Sequence, residues 1–256
     1  MEFIKSLSKW TDAYEREARL TPGLIVLVPL FVCLVSFFGS KHPLLITVTS
    51  ILMACGGPLL LSRIARDLGK SLEEKLFDKW GGKPSTILLR HSDVTIDSIT
   101  KAEYHSTLSK LLGKPAPSIQ DEMENPDNAD HFYRAAVTAL IAKTQDIKKF
   151  SMLFKENKHY GFQRNIRGLK WIGIMLNLSI LIVAGFLCAK NIQAPVDFNL
   201  AIEIKYLFPL LISSAFLFFW VLLATEASVR RSANAYADRL IRSCNSITLP
   251  RAKSPK

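Results

Sequence analysis

Residues 171–189 read WIGIMLNLSILIVAGFLCA, nineteen positions without a charged side chain. At 1.5 Å rise per residue, a helix of that length is long enough to cross a hydrocarbon core of about 30 Å. Three further stretches share the pattern: 20–38 (LTPGLIVLVPLFVCLVSFF), 43–62 (PLLITVTSILMACGGPLLLS) and 206–225 (YLFPLLISSAFLFFWVLLAT). A chain of 256 residues cannot bury four such helices on every side, so a bilayer is their expected solvent. The expected fold is mostly α. Four transmembrane helices flank a small, mainly helical cytoplasmic domain that lies between spans 2 and 3.

The expected layout follows from those stretches. Residues 1–20 form an amphipathic interfacial helix, with Phe3, Leu7, Trp10 and Tyr14 at near-heptad spacing. Residues 20–62 make a transmembrane hairpin, 63–170 the cytoplasmic domain, 171–226 a second hairpin and 227–256 a basic cytoplasmic tail. Thr21-Pro22 reads as a helix cap followed by Pro at the first helical position, where the chain bends into the first span.

Charge gives the orientation. The chain carries 33 Lys and Arg against 22 Asp and Glu, a net charge of +11. Such an excess in a soluble protein points to nucleic acid. Here 30 of the 33 cations fall before the first span, between the second and third, or after the fourth. Only Lys41, Lys190 and Lys205 fall on the two hairpin loops. Cations concentrate on the cytoplasmic side of a membrane. Both termini and the central domain are therefore expected in the cytoplasm, the membrane being a bacterial inner membrane. Cys33, Cys55, Cys188 and Cys244 show neither CxxC nor metal-ligand spacing. Composition excludes a disordered chain, a collagen and a disulfide scaffold.

Within the central segment, a helix is expected to leave the second span, run through Ser62–Trp80 and stop at Gly81-Gly82. The β-branched character of Lys83–Ile96 predicts a short strand pair or an ordered loop. Asp97 or Ser98 caps a helix to about Leu112, and Asn125-Pro126-Asp127 starts another to about Gln145. A further helix from about Ile147 runs into the third span. Asp121, Glu122 and Glu124 read as a solvated acidic face.

No catalytic motif stands out, so no enzyme, cofactor or metal site is expected. The basic residues carry more. Lys83, Arg90 and His91 cluster behind the glycine stop. Arg164 and Arg167 precede the third span beside Tyr160 and Phe162, and Lys148 lies one helix earlier. Juxtamembrane cations meet anionic lipid as their default. Arg90 and Lys83 lie 20 to 30 residues from a span, where arginine beside aromatics suits a phosphate or a stacked base. The expected anionic ligand site is therefore Lys83, Arg90, His91, Lys148, Arg164 and Arg167. In the spans, Gly56, Gly57 and Pro58 break helical regularity, and Asn177, Ser213 and Ser214 add polarity. These six read either as a hinge or pore lining, or as close helix packing and interhelical hydrogen bonds.

Three short motifs carry a resemblance over nearly the whole chain. They are Tyr14-Glu15-Arg16 through Leu20-Thr21-Pro22, Trp80-Gly81-Gly82 with Leu88-Leu89-Arg90-His91, and Tyr160-Gly161-Phe162-Gln163-Arg164-Asn165. The chain resembles bacterial four-span proteins encoded beside nucleotidyltransferases in anti-phage defence loci, the membrane effectors of Hailong-type systems. The resemblance implies a homo-oligomeric inner-membrane ion channel. Its ligand would be a short deoxyadenylate chain made by the partner nucleotidyltransferase, and the bound chain would hold the pore shut. It also implies possible contact with that enzyme itself. The alternative is a membrane scaffold without a pore that docks a cytoplasmic partner.

Overall fold

The computed structural model describes residues 13–39, 43, 44, 47, 50, 57–192 and 200–247. Among these the protein is mostly helical, with no strand. The helices are α1 (Thr21–Phe38), α2 (Gly57–Trp80), α3 (Pro84–Ile87), α4 (Ser98–Leu112), α5 (Ile119–Glu124), α6 (Pro126–Lys143), α7 (Ser151–Ile192), α8 (Leu200–Leu222) and α9 (Glu226–Arg242). Three helical stretches are long and apolar enough to cross a membrane: Glu15–Phe38, Ser151–Lys190 and Ile204–Leu222. They match the expected first, third and fourth spans and mark the chain as a membrane protein. Most of the expected second span, Gly56 included, lies outside the described residues, as do residues 1–12 of the interfacial helix.

The chain divides into two compact units. Of the described residues, those up to Glu73 and Gly161–Val229 form the first, and Glu74–Tyr160 with those from Arg230 onward form the second. The second unit holds most of the segment expected as the cytoplasmic domain (63–170), together with part of the segment expected as a tail (227–256).

The first unit holds the apolar helices. Its buried core includes Val26, Ala65, Ile166, Leu169, Trp220 and Ala224. Small residues let the helices approach closely, as in membrane proteins generally. A Cβ on Gly168 would lie 2.8 Å from the backbone nitrogen of Gly69, so α2 and α7 cross with backbone against backbone. A Cβ on Gly173 would overlap the Trp220 indole, which is fully buried. At the same, C-terminal end of α8, Lys170 Nζ donates to the carbonyls of Val221 (3.0 Å) and Ala224 (3.2 Å). A cation there complements the negative end of the helix.

The expected cap and bend at Thr21-Pro22 is not what forms. Glu15–Leu20 is a π-helical segment that continues directly into α1, and Leu20 keeps right-handed helical backbone. Proline explains the irregularity. Pro22 has no N–H, so the Ala18 carbonyl loses its ordinary donor four residues on. The fully buried Asn165 on α7 supplies the replacement, its Nδ2 donating to Ala18 O at 2.6 Å. Thr21 assists by donating both its N–H and its Oγ1 to Arg16 O. Helix α1 also runs on through Pro29.

The second unit packs around Leu89, Tyr104, Leu108, Tyr133, Ala136 and Leu140. Several expected caps form here. Asp97 accepts from Thr100 N and Asn125 from Asn128 N, with Pro126 opening α6. Gly113 ends α4 in the left-handed region at φ 66°, where glycine carries no Cβ penalty. Helix α2 stops at Gly81 (φ 81°), as expected. Helix α7 starts at Ser151, and ahead of it Asp146 caps a helical turn from Ile147, accepting from Lys148 N and Lys149 N while Phe150 N bonds Asp146 O.

Of the strand pair or ordered loop expected over Lys83–Ile96, the strand pair does not form: Pro84–Ile87 is the short helix α3, and turns follow it. The basic segment after the fourth span forms α9, which inserts Ala237, Leu240 and Ile241, with Cys244 beyond them, into the core. Burial pushes the Cys244 thiol pKa up to about 12.

Candidate anion-binding site

The expected ligand residues divide between the two units. Lys83, Arg90, His91 and Lys148 belong to the second unit, Arg164 and Arg167 to the first. Most also have internal partners. Arg90 donates Nε to Asp130 Oδ1 at 2.9 Å and Nη2 to Oδ2 at 2.6 Å, with Nη2 also on Gly81 O at 2.9 Å. Its guanidinium pKa is raised, first by that hydrogen bond to Asp130. His91 places Nε2 3.0 Å from Pro117 O. Arg164 is buried and paired with Glu73 at 2.9 Å. Arg167 is half-buried, and its Nε has no hydrogen-bond partner among the described residues. Lys83 and Lys148 are exposed.

Arg90 and His91 therefore belong to a polar lock around the turns after α3. Glu122, read from sequence as part of a solvated face, is buried at its centre. It accepts from His91 N (2.8 Å), Ser92 N (3.1 Å) and Tyr133 Oη (2.7 Å). Burial alone would raise its pKa, but these hydrogen bonds more than offset it, so the carboxyl stays below its usual range. The Tyr133 hydroxyl is pushed up by burial and by Glu122. Lys101 Nζ, its pKa lowered by burial, donates to the carbonyls of Arg90 (2.7 Å) and Asp93. His105 Nε2 meets Leu89 O at 2.8 Å, and burial holds its pKa down.

Cations with room for a ligand lie elsewhere in the second unit. A cavity of about 180 Å³ is lined by Lys149, Phe150, Ser151, Met152, Leu153, Arg239, Arg242, Ser243 and Ser246. That is about six waters' worth of space, enough for a phosphate group with some hydration. Lys149, Arg239 and Arg242 are exposed, and Ser151 and Ser246 add hydroxyls. Arg242 also pairs with Asp238 at 2.7 Å, i to i+4 on α9. Lysine offers a point charge and arginine a planar fork, the two usual means of holding phosphate. Lys148, the neighbour of Lys149, was the nearest expectation. The arginines were missed because the segment after the fourth span read as lying outside the domain, although Ala237, Leu240, Ile241 and Cys244 follow a helical stripe able to pack into it.

Among the expected pore-lining or hinge residues, Gly57 and Pro58 lie in the first turn of α2. Asn177 and Ser213 are fully buried within the first unit, so they do not line a surface of the single chain. Asn177 Nδ2 donates to Gly173 O at 2.8 Å, while Asn177 Oδ1 and Ser213 Oγ have no partner among the described residues. Ser214 is exposed. No group of metal-ligating side chains is gathered among the described residues.

No family model, no curated protein and no solved structure matches the chain.

Proposed function

We propose that the protein is a non-enzymatic membrane effector, an ion channel whose state is set by a cytoplasmic polyanion. The observation that carries the reading is the cavity where Lys149, Arg239 and Arg242 converge, in a chain that also carries apolar helices of membrane-spanning length. In the full reading, residues 43–62 form a fourth span and both termini face the cytoplasm of a bacterial cell. Copies of the chain assemble, and Ser214 meets its counterparts along the pore. By the resemblance to Hailong-type effectors, the ligand is a short oligodeoxyadenylate from a nucleotidyltransferase, the bound state is closed, and the role is anti-phage defence.

The test uses the full chain in liposomes. Oligodeoxyadenylate binding should weaken with salt. Each single-strand phosphate contact adds about 0.7 to the log–log slope, so Lys149→Gln with Arg239→Gln should lower it by about 1.4. Ion flux should appear without ligand and fall when ligand is added. An unchanged slope in the double variant would sink the site assignment.

A second reading, a scaffold without a pore, has its own observation. Val94 (91% exposed), Met123 (79%) and Ile99 (75%) stand in solvent on the second unit. The same unit also has a groove lined by Leu112, Pro115, Pro117 and Phe132. Large exposed apolar side chains mark docking surfaces. Absence of flux under every ligand condition would favour this reading over the channel.

A further inference from the structure

A larger cavity, about 540 Å³, lies in the first unit between the π-helical segment and the start of α2. It is lined by Glu15, Arg19 and Leu20 from the one and Leu59, Leu60, Ser62, Arg63 and Arg66 from the other. Both walls change character along their length. Leu20 begins the apolar run of α1, and Arg19 and Glu15 precede it. On α2, Leu59 and Leu60 come first, and Arg63 and Arg66 follow within two turns. One end of the cavity is thus apolar and the other cationic.

The cations are available. Arg63 and Arg66 are exposed and have no ion pair among the described residues. Arg19 pairs with Glu15 at 3.1 Å, yet its Nε is buried without a partner. Three guanidiniums against one carboxylate leave a net positive cavity. The leucines sharpen the identity of the anion. Leu60 is 63% exposed and Leu59 49%, an apolar wall that a soluble phosphate ester leaves in water. A phospholipid fits both ends, with its phosphodiester on the arginines and its glycerol and upper acyl carbons on the leucines.

We propose that this cavity seats the headgroup of an anionic phospholipid, held by Arg19, Arg63 and Arg66 and covered at its apolar end by Leu20, Leu59 and Leu60. This assignment stands apart from the channel reading, since it concerns other residues and another ligand.

Purified full-length protein in neutral detergent tests it by native mass spectrometry, with phosphatidylglycerol, phosphatidylcholine and soluble glycerol phosphate as probes. Phosphatidylglycerol should be retained in preference to phosphatidylcholine, and glycerol phosphate should fail to compete with it. A juxtamembrane cation is worth about 1 kcal/mol toward anionic lipid, about fivefold in affinity. Arg63→Gln and Arg66→Gln should each weaken phosphatidylglycerol by about that factor, and the two with Arg19→Gln by roughly a hundredfold. Lys70→Gln, on the same helix outside the cavity, should leave it unchanged. The single α2 variants alter exposed side chains, so they remain informative if the triple variant does not fold. Equal retention of the two lipids, equal competition by glycerol phosphate, or equal losses from Lys70→Gln and Arg63→Gln would each overturn the assignment.

Discussion

Glu122, buried in the second unit, accepts hydrogen bonds from three donors. Asn177 Oδ1 and Ser213 Oγ, buried in the first, accept none among the described residues. The contrast extends further. Of six buried side-chain polar atoms without a partner among the described residues, five lie in the first unit, and Thr86 Oγ1 is the one in the second. The second unit fixes its turns with polar bonds of defined direction. The apolar unit relies on shape, with Gly168 against Gly69 and Gly173 against Trp220. Substitutions should therefore hurt the two units for different reasons.

The sharpest test is Glu122→Leu. It strands the His91 and Ser92 N–H groups and the Tyr133 hydroxyl. At about 1–3 kcal/mol per stranded buried donor, a loss of about 4 kcal/mol is expected. Amide exchange across residues 84–97 should rise to the level of unfolded chain. Gly168→Val probes the opposite principle. Overpacking of this kind costs about 3 kcal/mol, and the folded yield from membranes should drop although no hydrogen bond is removed. Full yield from this variant would break the claim that shape holds the first unit.

A double-mutant cycle on Arg90→Ala and Asp130→Ala should give a coupling of about 2 kcal/mol, typical of charged hydrogen bonds. Oligodeoxyadenylate affinity should not change in either variant. A loss of affinity with no coupling would return Arg90 to the ligand site. Acidification should then separate the units. The Glu122 carboxylate contributes stability above its ordinary value of 4.5, and that contribution is lost as pH falls through its lower folded value. His105 is held neutral below its ordinary 6.5, so the unfolded chain takes the proton first and stability also falls below that pH. Both shifts have one sign, and amide protection factors in α4 and α6, referenced to the unfolded rate at each pH, should fall below pH 6.5 while the spans keep theirs. The smallest effect belongs to Ser213→Ala, which removes an unpartnered hydroxyl and should shift stability by less than about 0.5 kcal/mol.

What could be read in advance was whatever depends on neighbours in the chain. Apolar runs marked the three described spans, and Asp97, Asn125 and Gly81 marked helix ends through bonds spanning a few residues. What could not be read depends on distant partners. Arg90 meets Asp130 forty positions away, and Glu122 meets His91 thirty-one away. Without those pairings, Arg90 read as open to a ligand and the buried Glu122 carboxylate read as solvated. Two motifs behind the family resemblance share this lesson. Gly161 packs on Tyr14, and Asn165 bonds Ala18, so residues that stood out as signatures serve as joints.

The Asn165–Ala18 bond spans 147 positions because Pro22 cannot donate locally. That gives the pair a history that runs in one direction. Replacing Pro22 with alanine restores a local N–H and makes the Asn165 amide redundant, after which position 165 is released to vary. Replacing Asn165 first leaves a buried carbonyl stranded beneath a proline. The route through Pro22 is a gentle slope and the reverse route a cliff, although both end at the same double variant.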